Sequence, residues 1–316
     1  MIKSLSIVIP SYNESKNIPE LYKKLESILN KLNLEDYEII FIDNGSIDNS
    51  LKILKEINLI NEKVKIISFS RNFGQENAIM AGIKYMKKEN LFIINGDLQD
   101  PPELLELFSK KMSEGYDVVY GVKKKREASF LMKFFYKLFY FIYSKTSEVK
   151  MPRQSGNLCL MNKKVLDTLK TFRENIIFLR GLRTWVGFKQ TGIEYQELKR
   201  IYGATKFSFY NSFLLALDGF FSFTLVPLRL ALVIAIITSF CSFLYLLFLL
   251  TAKMLFIFGI TSGDLVMPKG LTAVSFLLVF FSCLTIFILG IISEYIAKIY
   301  LEVKNRPRYI INEIIE

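Results

Sequence analysis

Two long stretches almost free of charge, residues 226–250 and 271–297, limit this chain more than any other feature of it. Each supplies the roughly twenty consecutive apolar residues that an α-helix needs to cross a hydrocarbon layer about 30 Å thick. Both are therefore predicted to be transmembrane helices. Arg229 stands at the start of the first, whereas Lys298, Lys304, Arg306 and Arg308 follow the second, and the connecting loop has only Lys253 and Lys269 with Asp264. Lys and Arg concentrate on cytoplasmic flanks, so a multi-pass hairpin with both ends in the cytoplasm is expected. Two spans cannot line a transport pathway in one chain, and anchoring is left as their role.

Upstream of a composition boundary near Pro227, charged and apolar residues mix as they do in a soluble domain. Short apolar runs alternate with helical patterns over the first 125 or so of the 316 residues, as expected of parallel strands joined by crossover helices. The predicted strands are 5–9, 38–42, 64–69, 91–94 and 117–122; the predicted helices are 18–32, 50–57, 75–87 and 102–114. In an open α/β sheet ligands bind beyond the carboxyl ends of the strands. Pro10, Ser11, Tyr12, Asn13 and Glu14 follow the first strand, Asp43, Asn44, Gly45 and Ser46 the second, and Asn95, Gly96, Asp97, Leu98 and Gln99 the fourth. One acidic loop residue is usually just solvated, but three strand ends here converge polar and acidic groups on one rim.

Histidine is absent, which removes Ser-His, Cys-His and His-metal chemistry together. Cys159, Cys241 and Cys283 are too few and too scattered for a disulfide framework or a zinc cluster, in keeping with a reducing cytoplasmic setting. The net charge of +11 suits nucleic acid, an anionic membrane surface or phosphate-bearing substrates. No nucleic-acid module is recognisable, and the apolar stretches favour the other two. The opening MIKSLSIVIPSYNE has no signal-peptide pattern, so the catalytic part is expected on the cytoplasmic side. Residues 129–143 carry Lys133 and Lys137 on an otherwise apolar, aromatic helix, which fits a bilayer interface or a domain core equally. The run Lys123, Lys124, Lys125, Arg126 beside it is either a solvated basic face drawn to anionic lipid or an anion-binding element.

The segments SIVIPSYNE, FIDNGSIDNS, SRNFGQENAIMAG and NGDLQDPPE resemble the ordered motifs of family 2 glycosyltransferases. FLRGLRTWVGFKQTGIEY, YGATKFS, LALDGFFSFTLVPLR and the tail KIYLEVKNRPRYII are similar to those of the bacterial polyprenyl-phosphate, or bactoprenol, glucosyltransferase group, which is related to dolichol-phosphate mannose synthase. The resemblance covers nearly the whole chain. It implies an α/β, GT-A catalytic domain with a Rossmann-like, mostly parallel sheet over 1–205, a juxtamembrane amphipathic helix over 206–225, a two-helix anchor over 226–298, and a cytoplasmic tail over 299–316 that forms a strand at a subunit interface of a homo-oligomer, a tetramer among the options. It implies inverting transfer of a hexose from a UDP-sugar to polyprenyl phosphate at the bacterial inner membrane, without nucleic acid.

Residue roles follow from the same resemblance. Asp97 and Gln99 match the metal-binding carboxylate and amide for Mg²⁺ or Mn²⁺, Asp97 thereby being catalytic as well. Pro10, Tyr12, Glu14 and Asp43 match positions holding base and ribose; Arg71, Asn95, Arg200 and Lys206 fall on the nucleotide-sugar side. Arg126 matches the acceptor-phosphate arginine and counts as catalytic, with Lys124 beside it. Three family carboxylates are amides here, Asn44, Asn95 and Asn157, and Cys159 replaces an arginine. An amide oxygen ligates a hard cation without supplying charge, so metal affinity is expected to fall. Other donors to the same lipid, and a catalytically weakened membrane scaffold, are the alternatives.

Overall fold

The computed structural model describes residues 2–32, 34–124, 155–174, 177–198, 202, 226–259 and 271–316. They divide between two compact units: one spans 1–223 together with the tail 305–316, the other 224–304. The predicted interfacial helix at 129–143 and the juxtamembrane helix at 206–225 lie outside the described residues.

The first unit is built on β1 (Ser4–Ser11), α1 (Ile18–Lys31), β2 (Asp36–Asp43), α2 (Ser50–Ile60), β3 (Val64–Phe69), α3 (Gln75–Tyr85), β4 (Asn90–Ile93), α4 (Leu104–Ser113) and β5 (Val118–Lys123). Every predicted strand and helix of this stretch is present within a few residues. Beyond it come β6 (Ser155–Met161), α5 (Lys163–Thr171), α6 (Leu179–Trp185), β7 (Gln190–Tyr195) and, from the tail, β8 (Ile311–Ile315). One sheet takes all eight strands in the order β7-β5-β6-β4-β1-β2-β3-β8. Only β6 and β8 run against the rest, so the sheet is mostly parallel as expected.

The central strands are apolar on both faces because helices cover both, as a parallel sheet requires. Leu5, Ile7, Ile9, Ile39 and Phe41 pack on one side with Leu21, Leu25 and Leu54 of α1 and α2. Val8, Ile40 and Ile42 pack on the other with Ala78, Ile79 and Ala81 of α3. β6 enters antiparallel between β4 and β5, a placement that sequence order does not announce. Its first residue, Ser155, pairs with Val122 at the carboxyl end of β5. That register delivers Ser155, Gly156 and Asn157 to the rim where the parallel strands end.

The tail strand β8 pairs antiparallel with β3 of its own chain, Ile66 opposite Ile315. It covers an edge that would otherwise offer unpaired N–H and C=O groups. Tyr309 stacks on Phe69, ring centroids 4.9 Å apart and 8° from parallel, and Lys55 pairs with Glu313 at 2.8 Å.

The second unit contains α7 (Val226–Ile257) and α8 (Leu271–Lys304). One helical stretch among the described residues, Leu277–Lys304, is long and apolar enough to cross a membrane. α7 carries a shorter apolar stretch, Leu230–Tyr245, so one of the two predicted spans is supported by length and composition. Large apolar side chains such as Leu278, Ile286, Phe287 and Leu289 stand exposed along α8. α8 also ends at Lys304, beyond the predicted boundary at 298, and the tail belongs with the sheet of the first unit.

Candidate active site

The loops after β1 and β2 are laced together. Asn13 Oδ1 accepts from the Ile47 N–H at 2.8 Å, the Asn13 N–H donates to Ser46 Oγ at 2.9 Å, and the Glu14 N–H donates to Ser50 Oγ at 2.9 Å. Asn13 sits at φ 53°, a left-handed conformation that asparagine tolerates better than most residues. Asp43 closes the second loop from beneath: its carboxylate accepts from the Ser46 N–H at 3.2 Å and from Ser68 Oγ at 3.0 Å, with 1% of the residue exposed. Gly45 is required at the next turn. Its φ is +71°, and a Cβ there would lie 2.5 Å from the Arg71 carbonyl carbon.

Asp97, Leu98 and Gln99 form the loop after β4, where the Gln99 N–H donates to Asp97 Oδ1 at 3.3 Å. Leu98 holds φ 59° while buried, a strained geometry costing about 1 kcal/mol or more and retained only when the surroundings impose it. Those surroundings are visible. Asn95 Oδ1 accepts from Gln75 Nε2, and Asn95 Nδ2 donates to Asp100 Oδ2 at 2.8 Å. Asp100, also buried, accepts from the Tyr195 hydroxyl, and the Gln99 carbonyl accepts from the Leu198 N–H at 2.9 Å. Lys123 pairs with Glu197 at 2.7 Å and lies 4.0 Å from Asp100. Burial pushes the Asp100 carboxyl up, with Lys123 opposing it. Burial first and then Asp100 push the Tyr195 phenol up. Tyr195 reaches Asp100 because it lies over Gly121, where a Cβ would come within 2.6 Å of its ring.

A second constellation joins the rim from α3, β6 and α6; the quoted motifs contain its Glu76, Arg180 and Arg183, and Asn157 and Cys159 were named individually. Glu76 Oε1 accepts from Asn157 Nδ2 at 3.1 Å, and Oε2 accepts from the Leu179 N–H at 3.2 Å. Burial raises the Glu76 carboxyl, while Arg180, Asn157, the Leu179 N–H and Arg183 pull it down. Arg180 Nη1 donates to the Ser155 carbonyl at 3.3 Å. Arg183 is buried, donates to the Gly156 carbonyl at 3.4 Å and lies 4.4 Å over the Tyr120 ring. Arg183 also interacts with the Cys159 thiol, so the position where an arginine was expected on β6 has one delivered to it from α6. The Arg180–Arg183 spacing of three, one helical turn, is the signal that could have flagged this cluster.

The three amide substitutions acquire a physical reason. Asn44 Oδ1 accepts from the Phe73 N–H at 2.9 Å while its Nδ2 donates to Asn72 Oδ1 at 3.1 Å. Asn95 donates to Asp100 and Asn157 to Glu76. An aspartate could make none of these three donations, and at 95 or 157 it would face another carboxylate.

Of the predicted site residues, Pro10 is buried in β1, while Tyr12, Glu14, Asp97 and Gln99 are partly exposed at the rim. Asp43 and Asn95 are engaged in hydrogen bonds within the protein. Arg71 folds over Phe73, its guanidinium carbon 4.0 Å from the ring centroid. Lys124 is exposed at the end of β5, its N–H donating to the Tyr195 carbonyl at 2.9 Å. Arg126, Arg200 and Lys206 lie outside the described residues. Among the described residues no three Asp, Glu, Cys or His side chains converge as a cation cage. A single carboxylate with a neighbouring amide nevertheless fits a hard divalent cation that keeps its waters and shares substrate phosphates.

Comparison with known proteins agrees with the fold. The family described as Glycosyl transferase family 2 matches residues 6–170. An uncharacterized glycosyltransferase of Bacillus subtilis (strain 168), YkcC, is 40% identical over 98% of this chain and 93% of its own length. The SfII prophage-derived bactoprenol glucosyl transferase of Shigella flexneri is 32% identical over 98% of this chain and 97% of its own. The prophage bactoprenol glucosyl transferase homolog of Escherichia coli (strain K12) is 31% identical over 98% and 99%. With its α/β, GT-A-like sheet, this chain belongs to glycosyl transferase family 2.

Proposed function

We propose that this protein is an inverting glycosyltransferase that moves a hexose, glucose foremost, from a UDP-sugar to undecaprenyl or another polyprenyl phosphate at the cytoplasmic face of the bacterial inner membrane. The observation that carries this reading is the near-full-length likeness to proteins named bactoprenol glucosyl transferase, which extends past the catalytic unit through the apolar helix α8. In this reading α7 is the second arm of the anchor.

The donor lies along the rim, with Tyr12 and Glu14 holding base and ribose through carboxylate and hydroxyl hydrogen bonds, on loops whose shape Pro10, Asp43 and Gly45 maintain. Asp97 and Gln99 would hold Mg²⁺ or Mn²⁺, which when bound neutralises charge on the departing diphosphate. Asn95 keeps that loop in register through Gln75 and Asp100. Arg71, Arg200 and Lys206 supply positive charge on the donor side. The acceptor phosphate has a second pKa of about 6, so near neutral pH it attacks the anomeric carbon as a dianion. No strong general base is needed, in keeping with a chain that has no histidine. Arg126 and Lys124 orient the phosphate for in-line attack, and positioning of this kind provides much of the acceleration.

The test is a donor screen. Purified protein is incubated with undecaprenyl phosphate, Mg²⁺ and a panel of nucleotide sugars, and lipid products are identified by mass. A hexosyl phospholipid from UDP-glucose is expected. Folded protein that binds UDP yet makes no lipid-linked sugar from any donor would instead favour a non-catalytic scaffold.

A further inference from the structure

Arg180 and its surroundings at the start of β6 are used by no step above. The guanidinium is partly exposed and anchored through Nη1 on the Ser155 carbonyl, and Ser155 sits opposite Val122, immediately before Lys123 and Lys124. Gly156 is adjacent to Lys123, whose Cε lies 3.6 Å from where a Cβ on that glycine would stand. Arg180 therefore stands on the same side of the rim as the basic end of β5.

The local hydrogen bonding is incomplete, with donors in excess. Arg180 Nε, Arg183 Nε and Nη2, and Asn157 Oδ1 are buried atoms with no hydrogen-bond partner among the described residues. Arg183 is 1% exposed and Asn157 9%. Buried donors are rarely left unmade, because each costs about 1–3 kcal/mol. The charge is also unbalanced: two guanidiniums face one carboxyl, Glu76, so the cluster keeps at least one net positive charge whatever the protonation of Glu76. Surplus cationic donors at a substrate rim are what an oxyanion satisfies.

We propose that Arg180 binds the phosphate of the acceptor lipid, and that Glu76, through Asn157 and the Leu179 N–H, is the positioning residue that holds the guanidinium at the start of β6. This rests on the functional reading above and deepens its acceptor side. A phosphate monoester on Arg180 would lie on the side of the rim that carries the basic end of β5. Arginine suits the task because its planar fork meets two phosphate oxygens at once, which lysine cannot do.

The test uses full-length protein in detergent micelles, titrated without donor against a short-chain prenyl monophosphate, against the prenyl alcohol and, separately, against UDP. Wild type is expected to bind the phosphate and not the alcohol. Arg180→Gln is expected to weaken prenyl phosphate binding about tenfold or more with UDP binding unchanged. Arg180→Lys should recover part of the loss, because charge returns without the fork. Glu76→Gln should weaken prenyl phosphate binding by a smaller factor and spare UDP. Equal prenyl phosphate binding by wild type and Arg180→Gln overturns the assignment alone. Loss of UDP binding in both Arg180 variants also overturns it and marks the residue as structural. Wild type that binds UDP but no prenyl phosphate overturns this assignment together with the acceptor reading.

Discussion

The hydroxyl of Tyr195 donates to the carboxylate of Asp100, 95 residues earlier in the chain, and so ties the end of β7 to the loop that carries Asp97 and Gln99. Asp100 is buried and also accepts from Asn95, so the loop is held from two directions. Removing one donor should be felt at the loop above. Tyr195→Phe is expected to lower the unfolding free energy of the catalytic unit by about 1–3 kcal/mol, the cost of an unmet buried acceptor. It should also raise the Mg²⁺ concentration needed for half-maximal transfer. Urea unfolding and a metal titration of activity check the two effects separately.

Gly45→Ala combines a left-handed backbone with a collision against the Arg71 main chain, and neither neighbour is a flexible side-chain tip. The expected loss is about 2 kcal/mol or more, from the positive φ and the overpacking together. Differential scanning calorimetry should show a lowered Tm, with UDP binding weakened if the proposed donor site is right, because the loop after β2 and the Arg71 loop after β3 meet at this contact.

Much of this arrangement was legible in the residues. The alternation of apolar runs and helical patterns located β1 to β5 and α1 to α4, because a doubly covered parallel sheet writes its strands as short apolar blocks. The rim residues after β1, β2 and β4 followed from where such strands end. β6 was not among the predicted strands, since antiparallel insertion between β4 and β5 depends on pairing that no local pattern reveals. The amides were legible only as departures. Their partners are distant in sequence or invisible as partners: Asn157 meets Glu76 81 residues away, and Asn44 meets Asn72 across two loops.

The Glu76 carboxyl carries a pH dependence. Burial raises its pKa above the ordinary 4.5. A carboxyl that titrates higher when folded keeps the native state more protonated, so unfolding free energy falls as pH rises from about 4.5 through the folded-state value. Asn157→Asp would place a second carboxylate about 3 Å from the first, where both cannot ionise cheaply. The variant should lose at least about 1.4 kcal/mol more than wild type between pH 5 and pH 8, equivalent to one further pKa unit. Parallel stability curves for the two proteins would show that residue 157 does not face Glu76.

Two contacts of the tail strand should differ in weight. Lys55 and Glu313 are both substantially solvated, so Glu313→Ala is expected to cost about 0–1 kcal/mol. Tyr309 stacks on Phe69 against the sheet, and Tyr309→Ala should cost about 2–3 kcal/mol and free the tail to proteolysis. Limited trypsin digestion, cutting after Lys304 and Arg308, reads the difference directly.

Asp97 is the residue on which the chemical account turns. Membranes carrying wild type or Asp97→Asn, matched for protein amount and membrane insertion, are supplied with radiolabelled UDP-glucose, undecaprenyl phosphate and Mg²⁺, and label entering the chloroform phase is counted. Wild type is expected to form the lipid-linked sugar, with Asp97→Asn reduced by at least about a hundredfold, the scale of losing one electrostatic contact made in the transition state. Transfer by Asp97→Asn at the wild-type rate would contradict the account.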